Sequence, residues 1–148
     1  MEIFELLKQD HDEAKALLTQ ICESEDGKER GELFKELRKK LLAHAHAEQK
    51  VLYEPMKKQE ETKDIALEAV VEHEVVERLV EDLSRSRSRD SDAWLARATV
   101  LKETLEHHIK EEEGEMFEKA RSVFDGKTLE KMAEQIQKAK ERELKKAA

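Results

Sequence analysis

Four segments of this 148-residue chain carry apolar side chains at intervals of three and four, and each admits one histidine to the apolar series. The first reads Phe4, Leu7, His11, Ala14, Leu18, Ile21. The second reads Phe34, Leu37, Leu41, His44, Glu48, Val51. The third reads Ala66, Val70, His73, Glu77, Val80, Leu83, and the fourth Trp94, Ala98, Leu101, Leu105, His108, Glu112, Met116. Such spacing marks the buried stripe of a helix in a bundle. In the last three segments a glutamate follows the histidine by four residues, on the same face and about one turn along. A lone ionised carboxylate in an apolar core is strongly unfavourable unless it is paired. Three carboxylates and four imidazoles aimed into one core call for a compensating charge, which a metal cluster supplies.

The punctuation between these segments agrees with long helices. Only four Gly and one Pro occur, and 43% of residues are charged; such a chain reads as helix rather than strand. Helix 1 is expected from about Glu2 to Ile21, ended by Ser24-Glu25-Asp26-Gly27. Helix 2 is expected from about Glu29 to Tyr53, stopped with the help of Pro55. Helix 3 spans about Lys63 to Leu83, and the run from Ser84 to Ser91, rich in Ser and Arg, reads as a flexible polar loop. Helix 4 runs from about Asp92 to Arg121. After Asp125-Gly126 a fifth, shorter helix of about Thr128 to Lys145 has one apolar face in Leu129, Met132, Ile136 and Ala139. The expected fold is all-α: a single domain over 1–148, an up-down-up-down antiparallel four-helix bundle (about 2–121) with a short C-terminal fifth helix (about 128–145).

In an antiparallel hairpin, residues equidistant from the turn lie side by side. The midpoint of His11 and His44 falls at Gly27/Lys28, that of His44 and His73 at Lys58/Gln59, and that of His73 and His108 at Asp90/Ser91. All three midpoints lie in or beside the expected turns. A bundle with short connections therefore brings the four histidines to one level. An internal repeat points the same way. His44-xxx-Glu48 with Leu52-Tyr53 matches His108-xxx-Glu112 with Met116-Phe117, and the aromatic follows the histidine by nine residues in both.

The formal charge is -8, which disfavours generic nucleic-acid binding. Cys22 is the only cysteine, so no internal disulfide can form and a reducing cytoplasm is the simple expectation. The start, MEIFELLKQDH, lacks a signal-peptide core, and no stretch approaches the roughly 20 apolar residues of a membrane span. No nucleic-acid or membrane partner is expected, and the chain should be a soluble monomer or weak oligomer with an unknown redox partner.

Other metal-site designs fit less well. No histidine has a glutamate three residues before it, so the Glu-x-x-His pairs of ferritin-like oxidases are absent. His73-Glu74-Val75-Val76-Glu77 lacks the second histidine of a HExxH zinc hydrolase. A metal-free helical scaffold gives no reason for the polar stripe.

Asp10-His11, His44-xxx-Glu48, Glu72-His73-xxx-Glu77 and His108-xxx-Glu112 together resemble the hemerythrin (HHE cation-binding) family over about residues 1–145. The resemblance implies two non-heme iron ions, oxo- or hydroxo-bridged, with an open position for a small ligand: oxygen, peroxide or nitric oxide. Carried over by position, Glu48 and Glu112 bridge the irons. His11 and His44 ligate one iron; His73, His108 and Glu77 ligate the other. Oxygen-carrying members have a histidine at the position of Glu77. An anionic donor there raises the ligand charge from -2 to -3 and favours ferric iron, hence oxidation by oxygen or turnover of peroxide over pure carriage. Tyr53 and Phe117 are expected beside the ligands, with Tyr53 able to donate a hydrogen bond to a bound oxidant. His46 and His107 are expected at the surface.

Overall fold

In the computed structural model, residues 1–147 are described; among them the regular structure is helical throughout. Helix α1 is Ile3–Glu23 and α2 is Gly27–Glu48. A π-helical turn, Gln49–Tyr53, carries α2 directly into the short α3, Glu54–Lys57. Helix α4 is Lys63–Arg85 and α5 is Asp92–Glu111. A second π turn, Glu112–Met116, leads into α6, Phe117–Val123, and α7 closes the chain as Gly126–Ala147. Four rods result, made of α1, α2–α3, α4 and α5–α6. Each packs on its chain neighbour and α1 also packs on α5, which closes the bundle; α7 lies outside it against α2 and α1.

Local sequence explains where the rods start. Asp26 caps α2 by accepting from the Lys28 backbone N–H at 3.1 Å, and Ser91 caps α5 by accepting from Trp94 N–H at 3.1 Å. Pro55 does not stop the second rod as expected. It falls in the first turn of α3, just where the π turn changes the hydrogen-bond register, so its missing N–H is tolerated and the rod runs on to Lys57. The turn after Lys57 is closed by fully buried Thr62, whose hydroxyl donates to the Met56 carbonyl at 2.6 Å.

The Ser/Arg-rich connection is anchored rather than loose. Buried Arg30 donates from Nε to the Ser24 carbonyl (2.8 Å) and from Nη1 to the Arg89 carbonyl (2.9 Å), tying both connections at that end of the bundle together. Gly27 sits against the same loop; a β-carbon there would lie 2.0 Å from Asp90 Oδ1.

The core divides at the level of the histidines. On one side Phe4, Leu52, Met56, Ala69, Phe117, Met132 and Ile136 form an apolar cluster that takes in the inner face of α7. On the other, Leu18, Phe34, Leu37, Val76, Val80, Trp94, Leu101 and Leu105 pack together. Trp94 anchors this half: its indole N–H donates to the Leu83 carbonyl at 3.1 Å, and its ring meets Phe34 edge-on at 5.7 Å. The expected stripes of the first, second and fourth segments are all buried. In α4 the buried positions are Ala66, Ala69, His73, Val76, Val80 and Leu83, so Ala69 and Val76 face inward where Val70 and Glu77 were expected.

Candidate metal centre

Between the two apolar halves lie His11 of α1, His44 and Glu48 of α2, His73 of α4, His108 of α5 and Glu112 at the start of the second π turn, all buried. Four rods thus deliver four imidazoles and two carboxylates to one level. His11 and His44 form one pair, ring centroids 5.0 Å apart; His73 and His108 form the other at 4.9 Å. Each carboxylate is shared between pairs. Glu48 Oε1 lies 3.4 Å from His44 Nε2 and 3.1 Å from His73 Nε2. Glu112 turns Oε1 toward His11 Nε2 at 3.5 Å and Oε2 toward His108 Nε2 at 2.9 Å. Two overlapping sets of donors follow, His11/His44/Glu48/Glu112 and Glu48/His73/His108/Glu112, and within each set the donor atoms lie within 4.8 Å of one another.

Every Nδ1 atom is turned outward to a second partner. Asp10 lies 2.8 Å from His44 Nδ1, Glu113 2.8 Å from His11 Nδ1 and Glu72 2.7 Å from His108 Nδ1. The Gln49 amide nitrogen lies 3.2 Å from His73 Nδ1. Once a metal displaces the proton from Nε2, a ring whose Nδ1–H is held by a carboxylate, as in His44, His11 and His108, presents Nε2 as a donor, the usual arrangement of a ligating histidine. Asp10 is itself held by Lys140 of α7 at 2.5 Å.

Tyr53 occupies the middle of the cluster. Its hydroxyl lies 2.6 Å from Glu112 Oε2 and 2.9 Å from Glu48 Oε1, and 3.2 and 3.4 Å from Nε2 of His73 and His108. Burial, reinforced by the negative charges of Glu112 and Glu48, pushes the phenol well above its ordinary range, so it stays protonated and donates. Phe117, the repeat partner of Tyr53, instead stacks its ring 6.3 Å from that of His11.

The cluster holds His44, His108 and Glu48 charged. Burial opposes charge on His44, yet Glu48 and Asp10 push it up to about 10; His108 is pushed up to about 10 against burial by Glu112 and Glu72. Glu48 is held well below the usual carboxylate range, against its burial, by His44, Glu112 and His73. A cation entering here replaces protons on these same atoms. The donors fit a metal: His11 Nε2, Glu48 Oε2 and Glu112 Oε1 are buried with no hydrogen-bond partner. Mixed nitrogen and carboxylate donors around a core position suit non-heme iron.

Glu77 is not among these donors. Its carboxylate pairs at 3.0 Å with His46 Nε2 on a half-exposed face, and His46 Nδ1 lies 3.4 Å from Glu143 of α7. The inward turn of α4 after His73 belongs to Val76 and Val80, which leaves Glu77 at the edge of the stripe. The carboxylates of the gathered set are therefore Glu48 and Glu112, and Glu77, expected as a third, does not join them in this structure. His107 is exposed beside Glu111, as expected. The stripe pattern does not reveal Asp10, Glu72, Glu113 and Gln49 as supports for the imidazoles. Their signal is adjacency: each directly precedes a stripe histidine or directly follows a stripe glutamate.

A cavity of about 130 Å³ opens on the imidazoles from the side away from Tyr53, walled by Ala14, Leu41, Val76, Val80, Leu105 and Ile109. Its polar margin includes Asp10, Lys40, Glu77 and Lys140.

A helical bundle that gathers four imidazoles and two shared carboxylates from facing rods is a metal-binding bundle of the histidine–carboxylate class. The family model of the hemerythrin HHE cation binding domain matches residues 2–120, and the chain belongs to that family, whose domains bind metal cations, typically iron. The crystal structure of a hemerythrin HHE cation binding domain-containing protein from Mycobacterium kansasii, an Rv2633c homolog, is similar to it with a TM-score of 0.85. That match covers 99% of this chain and 89% of the other at 25% identity. A DNA nickase of Nostoc sp. (strain PCC 7120) is 27% identical over 140 residues, 95% of this chain; the match spans 39% of the nickase's length. No helix among the described residues is long and apolar enough to cross a membrane.

Proposed function

We propose that the chain holds two non-heme irons between its four imidazoles and two carboxylates and reacts there with a small oxidant, turning over peroxide or oxygen rather than only carrying it. His11 and His44 would hold one ion and His73 and His108 the other, with Glu48 and Glu112 shared between them. A bound iron pair supplies the electron transfer to or from the oxidant. The chain's own groups do the rest. Apolar walls around the imidazoles admit a small uncharged molecule and disfavour bulk water. Asp10, Glu72, Glu113 and Gln49 keep each imidazole oriented with Nε2 inward.

The observation that carries the preference for turnover is the protonated Tyr53 hydroxyl, 2.6 and 2.9 Å from the two shared carboxylates. Cleaving an O–O bond requires protons to reach the separating oxygens, whereas reversible carriage breaks no such bond. The Tyr53 hydroxyl, in contact with both carboxylates, holds a proton within hydrogen-bond reach of the centre, the geometric requirement for a proton donor there. DNA nicking does not carry over from the nickase: the likeness spans a minor part of its length, and a net charge of -8 works against affinity for a phosphate backbone.

The test is iron content and oxygen evolution on peroxide addition, for the unaltered chain and for Tyr53→Phe. About two irons per chain are expected in both. The variant is expected to lose about 10²-fold or more of the turnover, the usual contribution of a positioned proton donor. Equal turnover in the two would remove Tyr53 from the chemistry. Oxygen that binds and leaves unchanged, with no turnover of peroxide, would return the chain to carriage or sensing, and a chain that takes up no iron or a single zinc would sink the di-iron reading.

A further inference from the structure

The four imidazoles are not backed alike. Asp10, Glu113 and Glu72 place carboxylates on His44, His11 and His108, while His73 meets only the uncharged amide of Gln49. The supports follow the internal repeat. Asp10 and Glu72 each directly precede the first histidine of a hairpin and back the second histidine of the same hairpin. Gln49 and Glu113 each directly follow a shared glutamate and back the first histidine of the other hairpin. Among these four supports, the Gln49/Glu113 pair is where a charged residue in one half answers a neutral one in the other.

A carboxylate accepting from Nδ1–H raises the basicity of the ring and strengthens Nε2 as a donor; a carboxamide oxygen in the same place does so less. In the structure the amide nitrogen of Gln49 faces His73 Nδ1; when His73 offers Nε2 to a metal, Nδ1 carries the proton, and a half-turn of the amide brings its oxygen there to accept. We propose that Gln49 makes the two metal positions unequal: the His11/His44 position fills first, and the His73/His108 position fills second and holds its ion more loosely. The inference rests on the reading that the centre takes two ions. It adds that the looser ion is the one beside the Tyr53 hydroxyl, 3.2 Å from His73 Nε2, while the tighter one lies on the side where Phe117 stacks on His11.

The experiment is a stepwise anaerobic titration of the full chain with cobalt(II), followed by the paramagnetically shifted Nδ1–H resonances of the four histidines. One equivalent is expected to shift His11 and His44, and the second His73 and His108. Competition with a chelator is expected to separate the two affinities by about tenfold or more, the size typical of a changed outer hydrogen bond. Gln49→Glu is expected to narrow the gap, and the exchange of Gln49→Glu with Glu113→Gln to reverse the order. The order is expected to survive Tyr53→Phe, which separates the effect of Gln49 from any donation by the phenol oxygen. Simultaneous filling, filling of the His73/His108 position first, or an order unmoved by the exchange would overturn the proposal. Uptake of a single cobalt per chain would overturn the two-ion reading beneath it, a distinguishable failure.

Discussion

An imidazole that offers Nε2 to a metal must leave its Nδ1–H to another acceptor, and the strength of that acceptor sets how good a donor the ring is. Asp10 serves His44 in this way, and its second oxygen is taken by Lys140. Asp10→Asn keeps the shape and one hydrogen bond but removes the charge. It is expected to weaken metal binding at the His11/His44 position by about 10- to 100-fold, read by chelator competition, with helix content unchanged; undiminished affinity would reduce Asp10 to a structural link to α7. The six gathered donors were legible in the sequence because histidine and glutamate in an apolar stripe are costly to bury without a cation between them. Glu77 was misplaced for a reason of angle. Successive helical residues turn by about 100°, so Val76 and Glu77 lie about 60° and 40° to either side of His73, and spacing alone does not say which flank faces the core. The supporting role of Asp10, Glu72, Glu113 and Gln49 is not legible from spacing, because they lie off the stripe, where charged and polar residues are ordinary.

The two π turns decide what stands above the shared carboxylates. In an unbroken α-helix, a residue nine positions after a histidine lies about 180° from it, so Tyr53 and Phe117 would face away from His44 and His108. Each π turn begins at or just after the shared glutamate and changes the pitch to an i to i+5 bond. Tyr53, five residues after Glu48, then comes over its carboxylate, and Phe117, five after Glu112, turns toward His11. The repeated nine-residue interval was the trace of this in the sequence, and it conflicts with α-helical phase; periodicity alone shows that conflict without showing its cure. The rods themselves were legible to within a few residues, apart from the second, which passes Pro55. Gly114 lies in the second π turn, exposed, with nothing within 4 Å of an added β-carbon and a φ that is not positive. The first π turn, Gln49–Tyr53, contains no glycine, so the geometry does not depend on one. Gly114→Ala is therefore expected to stabilise the chain by about 0.5–1 kcal/mol through the unfolded state, a rise of about 1–4 °C in the thermal midpoint. A fall in the midpoint would show that this turn uses the freedom of glycine.

At the scale of the whole molecule, protons and metal compete for the same buried atoms, and that competition sets how stability responds to pH. His44 and His108 are raised from 6.5 to about 10 by their carboxylate partners. A raised folded value means that the contribution to stability is complete below about 6.5 and is lost as pH climbs through about 10. Glu48 and Asp10 shift the other way, both lowered, and their contribution is lost as pH falls through the acid range. The chelator-treated chain is thus expected to be most resistant to urea near neutrality and to lose resistance from about pH 7 to 10. A metal-loaded chain needs those imidazoles neutral. Loading at pH 7 is therefore expected to release at least two protons, one each from His44 and His108, with a further share from His11, which Glu112 raises against its burial; the share from His44 and His108 is expected to fall to about half by about pH 10. Calorimetric titration with cobalt(II) in two buffers of different ionisation heat gives the proton count directly. Urea midpoints of the treated and loaded chains across the same range give the stability side, with the gap between them widening as pH rises. No proton release at pH 7, or a treated chain that gains resistance between pH 7 and 10, would show that the histidines are already neutral and that the carboxylates around them do not hold protons in place of metal.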